Sequence, residues 1–243
     1  MTQPFKGKTY WIVGASTGLG ASLARQLRQE GAKLILSARN EEQLKILADQ
    51  LGNSKVEPLD VTQGNSVTQA MDNIDYVDGV IYCVGQYQPM RTQDWDLEAS
   101  LAIIDANYLG AVRRFSHVAR ECFERGYGHI VVIGSLAGFH GLPGAIGYSS
   151  SKGALMQLCE NMFMDAHDTN VKVQQVNPGF IRSRLTEKND FVMPSLLEPE
   201  DAAERIVRAM KGNRFRTSFP TPFQWLFTIG RLLPSRIYRR LFY

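Results

Sequence analysis

The chain has only three cysteines, Cys83, Cys122 and Cys159, an odd number, widely spaced and without a CxxC pair. That usage excludes a disulfide framework or a thiolate zinc site and predicts reduced thiols. Histidine is equally sparse. His117, His129, His140 and His167 lack metal-ligand spacing, so each reads as structural or exposed, and no metal is expected. No stretch reaches the roughly 18 uninterrupted apolar residues that a membrane span requires. The opening MTQPFKGKTYWIVG has no hydrophobic signal-peptide segment, so a cytoplasmic protein is expected. Acid is missing from the end of the chain. After Glu204 there is no Asp or Glu, while nine Lys and Arg follow; residues 1 to 204 hold 18 bases against 24 acids, a net of −6, and the remainder carries +9. Such asymmetry fits an anionic partner or a solvated basic surface.

What is present is an even composition, 243 residues at 44% hydrophobic, enough for one substantial α/β core. Short apolar runs alternate with helical patterns: KTYWIVG, AKLILSA, KVEPLDV, VDGVIYCVG, GHIVVIGS, VKVQQVNPG and a last strand near RFRTSFP. Helices are expected between them, including a long helical region over 97 to 125 and another starting near Tyr148. Strands apolar on both faces and separated by helices imply a parallel sheet covered on both sides. The expected fold is therefore α/β and doubly wound (Rossmann-like): a seven-stranded parallel sheet in one domain, residues 1 to 220, with a C-terminal helical tail at 221 to 243. A ligand is expected at the carboxyl ends of the strands.

Two short stretches carry chemistry. VGASTGLG places Gly14, Gly18 and Gly20 at a strand-to-helix turn, where missing Cβ atoms let main-chain amides and a helix N-terminus approach a pyrophosphate. YSSSK places Tyr148 and Lys152 four residues apart, on one helix face. A phenol with a reference pKa of about 10 needs such a neighbouring cation to work as an acid or base near neutrality. The pair alone also fits a solvated helix face.

Across roughly residues 6 to 212 the chain resembles the short-chain dehydrogenase/reductase family, of the NADP-preferring type. The Gly-x-x-x-Gly-x-Gly spacing, LDVT at 59 to 62, Asn107 in NYLGA, Ser135 in VVIGSLAG, YSSSK, and NPGFIRS at 177 to 183 match its motifs in order. The resemblance implies an oxidoreductase that transfers a hydride between NADP(H) and a carbonyl or secondary alcohol. Tyr148 would be the general acid or base, its pKa lowered by Lys152 and the oxidised nicotinamide. Ser135 would orient and polarise the substrate oxygen. Asn107, at a helix irregularity in this family, would hold a water connecting Lys152 to solvent. The alternative is a non-catalytic NADP(H)-binding redox sensor or scaffold, which would not need this set of four.

The same resemblance assigns the cofactor contacts: Gly14, Ser16, Thr17, Gly18, Leu19 and Gly20 in the turn, Asp60 and Val61 at the adenine, and Gly85 after the fourth strand. Tyr148 and Lys152 also contact the cofactor. Pro178 and Gly179 shape the nicotinamide pocket, while Ile181 and Ser183 engage the carboxamide. In LILSARN the position where a carboxylate would select NAD is Ala38, followed by Arg39. An arginine there can fork onto a 2′-phosphate, with Asn40 as a second contact, so NADP(H) is expected. The chain departs from the family in Val13, where Thr is usual, and in YCVG (Tyr82 to Gly85), where Asn-Asn-Ala-Gly is usual. A modified hydrogen-bond network is expected there, with Cys83 a buried small residue rather than a nucleophile.

The substrate is less legible. Residues 183 to 199 occupy the family's variable substrate loop and carry Leu185, Phe191, Val192, Met193, Leu196 and Leu197, which fit an apolar pocket or core packing and favour a lipophilic substrate. A homodimer or homotetramer is implied by the family, through the helices at 97 to 125 and 148 to 168. The tail FPTPFQWLFTIGRLLPSRIYRRLFY mixes aromatics with arginines and no acid. It fits an interfacial helix in peripheral contact with an anionic membrane, packing on its own body or a partner subunit, or a lid on the pocket. No nucleic-acid partner is expected.

Overall fold

The computed structural model describes residues 4 to 241. Phe242 and Tyr243, counted above among the apolar tail residues, and the Arg231 side chain lie outside the described residues. Seven parallel strands form one sheet in the order β3-β2-β1-β4-β5-β6-β7. They are β1 (Thr9–Val13), β2 (Lys33–Ser37), β3 (Ser54–Val56), β4 (Gly79–Tyr82), β5 (Tyr127–Ile133), β6 (Asn170–Pro178) and β7 (Arg216–Phe219). The expected doubly wound fold is the one observed.

Successive side chains on a strand point to opposite faces. Ile12, Leu34, Leu36, Ile81 and Val131 enter one core with Leu23, Ala24 and Leu27 of α1 (Gly18–Gln29), Leu44 and Leu47 of α2 (Glu41–Leu51), and Ile206 and Met210 of α7 (Pro199–Lys211). Trp11, Val13, Val80, Tyr82 and Val132 enter the other, against Val67 of α3 (Gly64–Asp72), Phe115 and Val118 of α5 (Gly110–Glu124), and Leu155 and Cys159 of α6 (Ile146–Asp165). Fully burying one such side chain contributes about 1.5–3 kcal/mol, so both faces must be apolar, and this is why the strands read as unbroken hydrophobic runs. The chain winds from β1 outward to β3, then restarts at β4 on the other side of β1. That reversal opens a crevice at the carboxyl ends of β1 and β4.

Three elements differ from the sequence expectation. β3 ends at Val56, short of the KVEPLDV run, although the amides of Glu57 and Leu59 still donate to the carbonyls of Leu36 and Ala38 at 3.0 and 3.1 Å. Pro58 between them has no N–H to give. The helical region 97 to 125 is not continuous: α4 (Leu97–Ile104) passes through a π-helical turn, Asp105–Leu109, into α5. The turn sits on Tyr82, whose hydroxyl donates to the Ala106 carbonyl at 2.7 Å. Gly110 makes room, since a Cβ there would lie 2.6 Å from that hydroxyl and 2.8 Å from Val61. The π-turn adds a residue to the helical repeat, a slip too small for hydrophobic periodicity to reveal.

The tail is two short helices, α8 (Phe223–Thr228) and α9 (Ser235–Arg239), joined through a 3₁₀ turn, Gly230–Leu232. Phe227 is buried with Leu136, Phe139 and Met156, and Tyr238 is buried with its ring stacked on His140 at 3.8 Å. One side of the tail thus packs on the body. The other leaves Trp225, Ile229, Leu232, Ile237 and Leu241 exposed. Among the described residues no helix is long and apolar enough to cross a membrane.

Candidate active site

The turn after β1 is shaped by backbone contact. Gly14 has φ +96° and stands so close to the Cys83 backbone that a Cβ would lie 2.9 Å from its carbonyl; Gly18 has φ +53°. A Cβ on Gly20 would lie 1.9 Å from the Gly14 carbonyl oxygen. Any side chain at Gly20 would therefore force the turn apart. Ser16, Thr17, Gly18 and Leu19 line this turn half-buried, and α1 begins with no acid in its first turn and no side-chain cap on Thr17. Its first amides are unclaimed by the helix. A cradle closed to side chains and rich in amide donors fits a dinucleotide pyrophosphate.

At the end of β2, Arg39 is exposed and has no hydrogen bond or ion pair among the described residues. Asn40 is already committed: it caps α2, its Oδ1 accepting from the Gln43 amide at 3.0 Å. Only its side-chain amide remains for a second contact. Asp60 Oδ1 accepts from the Thr62 amide and hydroxyl at 3.0 and 2.8 Å, and its other carboxylate oxygen has no hydrogen bond among the described residues. Val61 is buried and its carbonyl accepts from Arg113 at 3.2 Å.

At the centre, α6 brings Tyr148 and Lys152 onto one face. Tyr148 is half-buried, and its hydroxyl is hydrogen-bonded with that of Ser135, which follows β5 and also accepts from the Ala137 amide at 3.1 Å. Burial pushes the phenol up to about 12 against the opposing pull of Ser135, so the group is a protonated acid here. Lys152 is buried, with Nζ donating to the carbonyls of Val84 at 3.1 Å and Ile133 at 3.0 Å, and 6.0 Å from the Tyr148 ring centre. Burial lowers its pKa to about 8. The expected lowering joined Lys152 to the oxidised nicotinamide; among the protein's own groups, burial outweighs the pull of Ser135.

Asn107 lies in the π-turn and is fully buried. Its Oδ1 accepts from the Gln86 amide at 2.7 Å, while Nδ2 donates to the Gln86 carbonyl at 2.9 Å and to Ser151 Oγ at 3.0 Å. Both amide hydrogens are thus used inside the protein. The side chain braces the segment following Gly85, at Gln86.

Residues after β6 close the crevice. A Cβ on Gly179 would meet Pro220 at 3.1 Å and Phe223 at 3.4 Å, so Pro178 and Gly179 lie against the start of the tail. Ile181 is buried and bridges Leu197. Ser183 faces Gly18 across the glycine turn, 3.9 Å from where a Cβ would stand. Leu185 approaches Gly85 to 3.2 Å from the same kind of position. Phe191, Phe180, Phe223 and Phe227 form a string of ring contacts 5.2 to 5.8 Å apart, joining the loop after β6 to the tail.

Two residues at the site were not anticipated. Tyr87 packs edge-on against Tyr148 with ring centres 5.1 Å apart, donates to Asn189 at 2.9 Å, and offers its carbonyl to Lys188 at 2.9 Å, so it docks the loop onto the catalytic candidate. Nothing in its sequence surroundings marks it. Arg184 donates to the Thr17 hydroxyl at 3.3 Å, bringing a cation to the glycine turn. A base directly after Ser183 was the available signal. Cys83 is a free thiol that burial pushes up to about 12, which suits packing and not nucleophilic attack. Among the described residues no cluster of three or more His, Cys, Asp or Glu could hold a metal ion.

Comparison with known proteins gives the same outline. Residues 8–191 match the short chain dehydrogenase family. An uncharacterized oxidoreductase of Myxococcus xanthus is 34% identical over 239 residues, covering 95% of this chain and 94% of its own. The closed form of a serine dehydrogenase complexed with NADP+ is 25% identical with a TM-score of 0.79, covering 87% of this chain and 94% of that one. A short chain dehydrogenase from Burkholderia cenocepacia, in complex with NADP, shares the fold at a TM-score of 0.87 over 100% of both chains, at 22% identity.

Proposed function

Because this chain belongs to the short-chain dehydrogenase family, we propose that it transfers a hydride between NADP(H) and a carbonyl or secondary alcohol, with a lipophilic substrate. The observation that carries the reading is the placing of Tyr148 beside Ser135 and on the same helix face as a buried Lys152, 6.0 Å from its ring centre. When bound, the dinucleotide supplies or accepts the hydride. The glycine turn holds the pyrophosphate, Arg39 and Arg184 offer guanidinium groups to phosphate, and Asp60 offers its other carboxylate oxygen to the adenine side. NADP(H) over NAD(H) rests on Arg39, unpaired among the described residues and directly after Ala38, the position where a carboxylate would repel the extra phosphate.

Tyr148 gives its proton to the carbonyl oxygen as reduction proceeds, and Ser135 holds that oxygen in place. Lys152, with a pKa of about 8, can be charged or neutral near neutral pH and so can reload the phenol. Asn107 acts by fixing the Gln86 backbone and Ser151 beside them. The apolar loop residues and the phenylalanine string favour a lipophilic substrate.

The test is NADPH oxidation with a panel of aldehydes, ketones and quinones. Consumption with a lipophilic carbonyl supports the enzyme. NADPH binding without consumption across the panel would favour the sensor reading instead. Pairing into a homodimer or homotetramer is supported by the exposed Leu101, Leu109, Val112 and Phe163 on the α4 to α6 surface. Peripheral contact with an anionic membrane is supported by the exposed apolar residues of the tail beside Arg236, Arg239 and Arg240. Salt-sensitive flotation with anionic vesicles, lost on deleting residues 221 to 243 from a protein that still melts cooperatively, would support that contact; full-length protein left in the soluble fraction at low salt would overturn it.

A further inference from the structure

Beside the catalytic helix lies a second cavity of about 500 Å³, walled by the loop before α4, the loop leading into α6, the first turns of α6, and α9 of the tail. Its floor is apolar, with Leu142, Ile146 and Tyr238, while Arg91 and Arg239 stand at its rim and His140 lies against Tyr238. Among the described residues no acid lines it. Neither guanidinium makes an ion pair or hydrogen bond among the described residues, and both residues are exposed. α6 begins here without an acid in its first turn and without a side-chain cap, so its N-terminal amides add positive potential. Ser149, only 9% exposed, is among the residues that wall the cavity, and its buried hydroxyl has no hydrogen-bond partner among the described residues.

These features have one chemistry in common: an apolar body ending in an anion. We infer that this cavity is a subsite for the carboxylate or phosphate end of an amphipathic substrate, whose carbonyl is presented to Tyr148 on the same helical turn. The inference rests on the hydride-transfer reading for the word substrate, but not for the binding itself. It also gives the C-terminal tail a role in recognition, because Tyr238 and Arg239 complete the wall. The apolar part of such a ligand gains from leaving water, and the two arginines with the helix terminus oppose the loss of anion hydration.

The test uses full-length protein and calorimetric titration with decanoate, decyl phosphate and decanol at low salt, in the wild type and in Tyr148→Phe, where turnover cannot intervene. Both anions are expected to bind about ten-fold more tightly than decanol, as two cations at modest individual worth would give. Whichever anion binds more tightly identifies the natural end group. Arg91→Glu and Arg239→Glu should each bring the ratio of anion to decanol affinity toward one, while Arg91→Lys retains most of it. Cooperative melting and NADPH affinity check that the variants are folded. Anions that bind no better than decanol, or a ratio that survives both charge reversals, would overturn the subsite. Comparing kcat/KM for 10-oxodecanoate and decanal separates the two readings. Reduction of decanal with no preference for the acid refutes the subsite alone; charge-selective binding with no carbonyl turned over refutes the hydride-transfer reading and leaves the subsite standing.

Discussion

Replacing Tyr82 by Phe removes a single oxygen from the centre of the protein, at the position where the sequence departs from its family's Asn-Asn-Ala-Gly. The ring stays: it is fully buried and packs against Phe115 at 5.8 Å between centres. What is lost is the 2.7 Å bond to the Ala106 carbonyl inside the π-turn. That carbonyl belongs to Ala106, which is only 6% exposed. Leaving a buried acceptor without its partner costs about 1–3 kcal/mol. For a chain of this size each kcal/mol moves Tm by about 2–4 °C, so a drop of about 2–12 °C is expected in calorimetry, with urea unfolding as a second measure. The pH dependence supplies a control. Burial raises the Tyr82 pKa above 10, so its contribution is fully present below the unfolded value and lost as pH rises beyond it. The gap between wild type and Tyr82→Phe should therefore hold at pH 7 and narrow above pH 10. A Tm within about 1 °C of wild type at pH 7 would refute the claim that Tyr82 secures the π-turn.

His129 is buried between the Tyr10 hydroxyl at 2.8 Å and Gln174 at 2.9 Å, and burial pushes its pKa down to about 3 from 6.5. The unfolded chain takes up that proton first, so stability is complete above pH 6.5 and should fall by up to about 1.4 kcal/mol per pH unit as the pH drops toward 3. Measuring urea midpoints from pH 7 to 4 checks this, and a His129→Gln protein should show a flatter profile. In Arg39→Asp, NADPH affinity should fall by about ten-fold or more relative to NADH, since one charge-assisted contact is exchanged for repulsion. An unchanged preference by fluorescence titration would remove Arg39 as the selector.

The strands were legible because burial on both faces leaves a mark at every position, as in WIV of β1 and LILS of β2. The glycine turn was legible for a similar reason: a clash at 1.9 Å from Gly20 tolerates only one residue type. Tyr148, Lys152 and Ser135 could be placed because their motifs stand in order along the chain. The break at Asp105–Leu109 was hidden by its size, a single extra residue. Tyr87 and Arg184 were hidden for another reason. Their partners, Asn189 and Thr17, lie 102 and 167 residues away, and only the closed crevice brings them together. The tail showed its composition but not its shape; Pro222 and Pro234 divide it, and the stacking of Tyr238 on His140 depends on a loop far upstream.

The central claim is that Tyr148 is the proton donor in a hydride transfer supported by NADPH. It is tested most directly by one pair of measurements on Tyr148→Phe, which keeps the ring against Tyr87 and loses only the hydroxyl. With a carbonyl that the wild type reduces, kcat/KM should fall by about 10²–10⁴, the usual worth of a positioned acid, while the Kd for NADPH stays within about two-fold. Turnover that persists in a folded Tyr148→Phe protein at near wild-type rate would contradict the assignment.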